Sequence, residues 1–134
     1  MPNPPKFDPV RGSRGRGLMQ LPAEGRKGDP PPWPLSGRPL AAEAKAWAEL
    51  WATPQAVAWE RLGWTRTVAR YCRAMLAAEA RDASPALLAQ VTAMEDRLGL
   101  TPKAMRLLLW DVAPNEVEER RQSGSAARRR IKAV

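Results

Sequence analysis

The chain of 134 residues contains no histidine and a single cysteine, Cys72. A structural zinc site needs about four ligands drawn largely from these two residue types, and a nucleophilic side chain usually needs a histidine base. One cysteine also excludes a disulfide within the chain, which favours a reducing, cytoplasmic setting. These absences leave only carboxylate magnesium sites open, and no cofactor is indicated.

Long apolar runs and phosphate-binding loops are missing as well. No stretch approaches the roughly 18 apolar residues of a membrane span, and the N-terminus does not have the pattern of a signal peptide. The P-loop pattern G-x-x-x-x-G-K-[ST] does not occur. The closest acidic pair, Glu95 and Asp96, diverges by about 100° on a helix and so forms no paired metal site. The sequence therefore predicts a non-enzymatic protein without a membrane partner.

The net charge of +8 is unevenly distributed. Residues 1–39 carry a net charge of +4, residues 40–119 a net charge of −2, and residues 120–134 a net charge of +6 without any acidic residue. A nearly neutral middle between two basic ends is typical of a folded core whose arms attract a polyanion. We therefore divide the chain into an N-terminal arm, a central domain and a C-terminal tail at these boundaries.

The first 39 residues hold ten of the 14 prolines and six of the nine glycines. They contain too few large apolar residues to offset their ordering entropy, which predicts an extended basic arm. The stiff Pro-rich stretch 29–34 leads into the core, and we expect Trp33 to contact it. Glycines between arginines let a backbone follow a polyanion closely. This pattern predicts nucleic-acid contacts from Arg11, Arg14 and Arg16.

From residue 40 onward the composition changes to Ala, Leu, Trp, Arg and Glu, which is typical of helices. Helices are predicted over about 40–51, 54–62, 64–80, 84–98 and 101–110, and a short charged helix over 115–122. Three Ser/Thr-Pro pairs mark helix starts and two glycines mark helix ends. These signals are Thr53-Pro54, Ser84-Pro85, Thr101-Pro102, Gly63 and Gly99.

No alternating pattern of β-branched residues is present, so no strand is predicted. The fold class is therefore all-α: a small bundle of about five helices within residues 40–119. The third and fourth helices should form a central antiparallel hairpin, flanked by the first, second and fifth helices. In the fifth helix, Met105, Leu108 and Leu109 are expected to face the core. The basic tails on both sides, including residues 120–134, are predicted to be disordered.

Five of the six tryptophans lie in the helical part. Five short helices cannot easily bury five indole rings in one monomer, and exposed aromatic rings often mark protein interfaces. We therefore expect a homo-oligomer, and its predicted interface residues are Trp47, Trp51, Trp59, Trp64 and Trp110. The alternative is that these rings complete a small core.

The third helix carries Arg66, Arg70 and Arg73, spaced four and three apart, which places them on one face. With the second helix and the turn at Gly63, this arrangement resembles a helix-turn-helix whose arginines contact DNA phosphates or guanine edges. The alternative is ion pairing within a helical assembly. Candidate acidic partners are Glu49, Glu60 and Glu79.

The C-terminal tail ends in a compact basic cluster that could hold phosphates without reading sequence. Its residues are Arg128, Arg129, Arg130 and Lys132.

Cys72 lies beside the apolar line of the third helix, and a lone cysteine there is usually a small core residue.

One segment resembles a known signature. Leu-Gly-Leu-Thr-Pro at 98–102, followed by Ala104, Arg106 and Leu107, resembles the C-terminal signature of small terminase subunits of tailed phages. The Pro-rich approach and the Trp-rich first helix extend the resemblance over residues 22–110. Segments 56–64 and 67–71 look like those of phages of actinobacteria.

The resemblance implies a role in viral genome packaging in the host cell cytoplasm. Such subunits assemble into rings, bind double-stranded viral DNA and present it to the large subunit, which holds the ATPase and nuclease. The small subunit has no turnover of its own. Two alternatives remain: a dimeric helix-turn-helix transcription regulator that uses the same third helix, and a phage structural or scaffold-binding protein without DNA specificity.

Overall fold

A computed structural model describes residues 18–113 and 116–133, and gives only the backbone of residues 116–119, 122 and 123. The described chain is mostly helical, which confirms the predicted class in its coarse form. The elements in chain order are β1 (Met19–Leu21), α1 (Ala41–Trp51), α2 (Gln55–Leu62), α3 (Thr65–Ala78), α4 (Pro85–Leu98), α5 (Pro102–Leu107), β2 (Trp110–Val112) and α6 (Glu116–Lys132).

Two of the three predicted helix starts are confirmed in atomic detail. The hydroxyls of Ser84 and Thr101 each accept a hydrogen bond from the amide three residues later, at 3.1 and 3.2 Å. The third of these helices, α2, also starts where it is predicted, at Gln55, but the predicted cap by Thr53 is wrong: the Thr53 hydroxyl donates to the carbonyl oxygen of Leu50 at 2.7 Å and caps nothing in α2. Its hydroxyl is used to close the turn out of α1 instead.

The two predicted glycine stops are also confirmed. Gly63 ends α2 with a φ of 69°, and Gly99 ends α4 with a φ of 74°. Only glycine adopts this left-handed conformation without a steric cost. Gly99 has a second constraint, because a β-carbon there would overlap the ring of Trp110.

The prediction that the chain has no strand is wrong. β1 and β2 pair in parallel, with Met19 opposite Trp110 and Leu21 opposite Val112. The Met19 amide donates to the carbonyl oxygen of Leu109 at 2.8 Å, and Leu21 is fully buried. Three-residue strands are too short to show an alternating pattern, and these two lie about ninety residues apart in sequence.

Residues 22–39, here called the strap, lie against the helices. The prediction of an extended arm is therefore wrong for these residues. The Arg26 amide donates to the carbonyl oxygen of Thr53 at 3.2 Å, and the Trp47 indole nitrogen donates to the carbonyl oxygen of Pro31 at 2.8 Å. These hydrogen bonds and the packing of Trp33 hold the strap on the helices, and the composition of the strap does not predict them. Residues 1–17, with Arg11, Arg14 and Arg16, lie outside the described residues.

Four tryptophan rings form a continuous ladder through the core. Trp33 contacts Trp47, Trp47 contacts Trp51, and Trp51 contacts Trp59, with ring centroids 5.1, 5.4 and 5.8 Å apart and edge-to-face geometry. Such pairs stabilise a core beyond the area they bury. The predicted contact of Trp33 with the core is therefore confirmed.

The ladder also corrects the reasoning behind the tryptophan interface. Trp47, Trp51, Trp59 and Trp110 are all at most 6% exposed within one protomer. Trp64 is only partly buried, and its ring lies 6.0 Å from that of Trp110. The premise that one monomer cannot bury these indoles is wrong, because the strap and β1 add apolar surface that the predicted bundle lacked.

The junction between α5 and β2 differs from the predicted helix over 101–110. α5 ends at Leu107, and Leu109 adopts a left-handed φ of 59°. Its side chain is 51% exposed, so the prediction that Leu109 faces the core is wrong. The left-handed turn redirects the chain into β2 and rotates this side chain outward, whereas Leu108 and Met105 do pack against the core.

The C-terminal tail is helical over most of its length, where disorder was predicted. α6 spans 17 residues, from Glu116 to Lys132. Glutamates in its first turns and basic residues in its last turn complement the helix dipole, which adds a small stabilisation to α6. Among the residues the structure describes, no helix has the length and apolar character needed to cross a membrane.

Candidate nucleic-acid interface

The arginine stripe of α3 (Arg66, Arg70 and Arg73) lies on the solvent side of that helix. The opposite side of α3 is buried through Val68, Ala69, Tyr71 and Cys72. Because an α-helix turns 100° per residue, burial of these positions leaves the stripe exposed. All three arginines are exposed, and α3 contains no acidic residue.

Arg73 is held by the rest of the protein. Its guanidinium lies 3.4 Å from the carboxylate of Glu43, which is only 12% exposed, and 5.4 Å from the ring centre of Trp33. The ion-pair alternative is therefore correct for Arg73, although its partner on α1 differs from the three acidic residues expected. The two residues are 30 positions apart in the sequence, and no local pattern indicates that they pair.

Arg66 and Arg70 differ from Arg73. Within the described part of the chain, neither makes an ion pair or a side-chain hydrogen bond. Both lie in the first half of α3, the part of a recognition helix that approaches base edges in helix-turn-helix proteins. Their guanidinium groups are thus available to an external anion.

The turn that precedes α3 has the geometry of a tight helix-to-helix connection. The Gly63 amide donates to the carbonyl oxygen of Glu60 at 3.3 Å, and the Trp64 amide donates to that of Trp59 at 3.0 Å. These bonds close the end of α2 and start α3 after a single left-handed residue. The turn therefore presents the N-terminal half of α3, with Arg66, at the surface.

The acidic residue nearest this turn in sequence is neutralised from the strap. Arg26 donates two hydrogen bonds to the carboxylate of Glu60, at 3.0 and 3.1 Å. The hydrogen bonds lower the pKa of Glu60 and raise that of Arg26. This pair therefore removes an uncompensated negative charge from the end of α2. No local pattern in the sequence predicts this pair, because its partners are 34 residues apart.

The predicted basic cluster of the C-terminus lies on α6 and is exposed throughout. Its residues are Arg128, Arg129, Arg130 and Lys132. It forms a second exposed positive surface in addition to the arginine stripe.

Potential nucleophiles and metal ligands offer little chemistry. The Tyr71 hydroxyl donates to the Glu95 carboxylate at 3.1 Å, and burial raises the pKa of Tyr71 above its usual range. Cys72 is fully buried, as expected of a core residue, and its thiol lies 3.6 Å from the carbonyl oxygen of Glu43. In the described ranges, no three His, Cys, Asp or Glu residues converge as a metal site would require.

The Cys72 thiol should be unreactive in the native protein. Burial raises its pKa to about 11, so below that pH the thiol stays protonated, and the thiolate is the reactive form. At pH 8 we expect a thiol-reactive chromogenic disulfide to label Cys72 slowly in the folded protein and at once in denaturant. Rapid labelling of the folded protein would show that α3 opens readily.

No family model, no curated protein and no solved structure matches this chain.

Proposed function

We propose that this protein is the small subunit of a phage terminase, which binds double-stranded viral DNA and delivers it to the large ATPase and nuclease subunit. The observation that carries the proposal is a pair of exposed arginines on α3, Arg66 and Arg70, which have no partner among the described residues and lie in a helix without acidic residues. The resemblance of residues 98–107 to a terminase signature supplies the biological setting.

In this proposal the protein acts through recognition and not through turnover. Arg66 and Arg70 neutralise phosphates or contact guanine edges, and the basic residues of α6 and of residues 11–16 add phosphate contacts. Arg73 positions the strap and does not touch DNA, because Glu43 and Trp33 already occupy its guanidinium. The protein works in the host cell cytoplasm.

The finer architecture is part of the same proposal. α3 and α4 form an antiparallel hairpin at the centre of a helical bundle, and several protomers assemble into a ring. Four of the five tryptophans first assigned to the interface are buried, so the ring requires another surface. Exposed leucines are the available apolar groups, among them Leu40 at 70% and Leu107 at 75% exposure.

The proposal is tested by the salt dependence of DNA binding. Replacing both Arg66 and Arg70 by alanine should weaken binding to duplex DNA. The slope of log affinity against log salt should shrink by about 0.9 for each lost phosphate contact. The measurement is a fluorescence anisotropy titration with labelled duplex at several salt concentrations.

A matched control removes the same charge elsewhere. Arg97 and Arg106 are exposed on α4 and α5, and their double alanine variant should leave the slope unchanged. If both double variants shrink the slope equally, DNA responds to net charge only and the arginine stripe is not the contact surface.

A dimeric helix-turn-helix transcription regulator is the second candidate, favoured by the Gly63 turn and the exposed N-terminal half of α3. The solution mass separates the two functions. A ring has a mass of many times the 14.8 kDa of one chain, whereas a regulator that reads a palindrome has twice that mass. Light scattering at moderate salt makes the measurement.

A further inference from the structure

α6 is a helix with little to hold it. It has 17 residues, and every side chain described between Arg120 and Ala133 is exposed, including Ile131 at 77%. Isolated helices of this length are marginal in water, because helix nucleation is costly and no apolar face is buried. Gly124 weakens α6 further, since glycine is a poor helix former. The helical state of α6 therefore depends on its surroundings.

The helical state arranges the charges of α6 in a way that an extended chain does not. At 100° per residue, most of its basic side chains lie within about half of the helix circumference. Arg121, Arg128 and Lys132 are seven and four residues apart, so they form a row about 16 Å long on one side. In an extended segment neighbouring side chains point in opposite directions, and this row does not exist.

The same row opposes helix formation in the free protein. Arg128 and Lys132 are four residues apart, and like charges at this spacing repel each other on a helix. No acidic residue follows position 119 to relieve the repulsion. A polyanion that binds the row removes it, and a phosphate backbone is well suited, because guanidinium groups bind phosphates through paired hydrogen bonds.

We propose that the helix of α6 is only marginally stable until it binds duplex DNA, and that Gly124 limits how much of α6 is helical before binding. The inference rests on the proposed DNA-binding function and extends it to a defined element. Residues 120–132 of α6 face the DNA, because they hold all of its positive charge, whereas its glutamates lie within residues 116–119.

Two substitutions at one position test this without changing charge. A β-carbon at Gly124 meets nothing within 4 Å, so Gly124→Ala fits the helix. This variant should bind duplex DNA up to about fivefold more tightly, because less folding free energy is spent on binding. Gly124→Pro removes an amide donor and breaks the helix, so its affinity should fall more than about tenfold.

The measurements are anisotropy titrations of the full chain with labelled duplex and circular dichroism with and without DNA. Wild type and Gly124→Ala should share one salt slope, because both make the same phosphate contacts. Wild-type helicity should rise when DNA is added, and the rise should be smaller for Gly124→Ala. The thermal transition of the core should be the same in all three proteins, which shows that Gly124→Pro has not disturbed the fold.

Different results overturn different statements. If wild type fails to bind duplex DNA even at low salt, the proposed function is wrong. If wild type binds DNA and both Gly124 variants bind equally well, contact occurs through charge alone and the coupled folding of α6 is wrong. A rise in helicity with polyglutamate but none with DNA would also overturn it, and would assign α6 to an acidic protein surface.

Discussion

Replacing Trp59 by alanine should lower the free energy of unfolding by about 3–5 kcal/mol, the range found when a large buried aromatic ring is removed. Trp59 is completely buried, it ends the tryptophan ladder, and its indole nitrogen donates to the carbonyl oxygen of Leu98 at 2.8 Å. Small domains have a total stability of about 5–15 kcal/mol, so the variant should be close to unfolding. Urea denaturation followed by tryptophan fluorescence measures the change.

Two variants separate the contributions of the ring. Trp59→Phe keeps an aromatic ring but leaves the Leu98 carbonyl oxygen without its indole donor, and should cost about 1–3 kcal/mol. Trp64→Ala removes a ring that is only partly buried and should cost less than Trp59→Ala. Equal losses of unfolding free energy for Trp64→Ala and Trp59→Ala would mean that the ladder stabilises the fold no more than the contact between Trp64 and Trp110 does.

Replacing Gly25 by alanine should detach the strap. Gly25 has a φ of +83°, and a β-carbon there would overlap the carbonyl oxygen of Ala52, a backbone atom that cannot move aside. The left-handed conformation costs an alanine about 1–2 kcal/mol, and the overlap adds about 1–3 kcal/mol. We expect a lower unfolding midpoint in urea and faster tryptic cleavage after Arg26 and Lys27.

Gly28 provides the matched control within the same strap. Its φ is +94°, but a β-carbon there meets nothing within 4 Å. Gly28→Ala should therefore cost only the conformational part, about 1–2 kcal/mol, and leave tryptic cleavage nearly unchanged. If the two variants behave alike, the close approach of the strap to Ala52 contributes nothing to stability.

The parts of the fold that could be predicted are those with local causes. Ser84 and Thr101 cap helices through amides three residues away, and Gly63 and Gly99 end helices through their own backbone conformation. Each cause lies within a few residues of its effect, so the sequence displays it. The same rule failed at Thr53, because a carbonyl oxygen in the preceding turn competed for its hydroxyl.

The parts that could not be predicted depend on residues far apart in the chain. β1 needs β2, and Arg26 needs Glu60. No local pattern near residues 18–39 indicates that this segment pairs with β2 or with Glu60, so composition alone predicts an unpacked arm. The buried tryptophans were misassigned for the same reason, since the strap that covers them was not recognised as part of the fold.

The candidate interface also has one part that could be predicted from local sequence and one part that could not. The spacing of Arg66, Arg70 and Arg73 predicted that they share a face, and they do. Spacing could not predict that Arg73 pairs with Glu43 while the other two stay exposed, because that difference depends on how α1 and the strap pack against α3.

The parallel pairing of β1 with β2 brings the two ends of the domain together. The two basic segments join the domain at Leu18 and at Ala113. Given the register, the α-carbons of these two residues lie roughly 15 Å apart. In the proposed function, two segments attached so closely act on one DNA molecule as a bivalent pair, because binding by one raises the effective concentration of the other. A polyanion held by both should therefore dissociate far more slowly than one held by either alone, although each separate contact is weak.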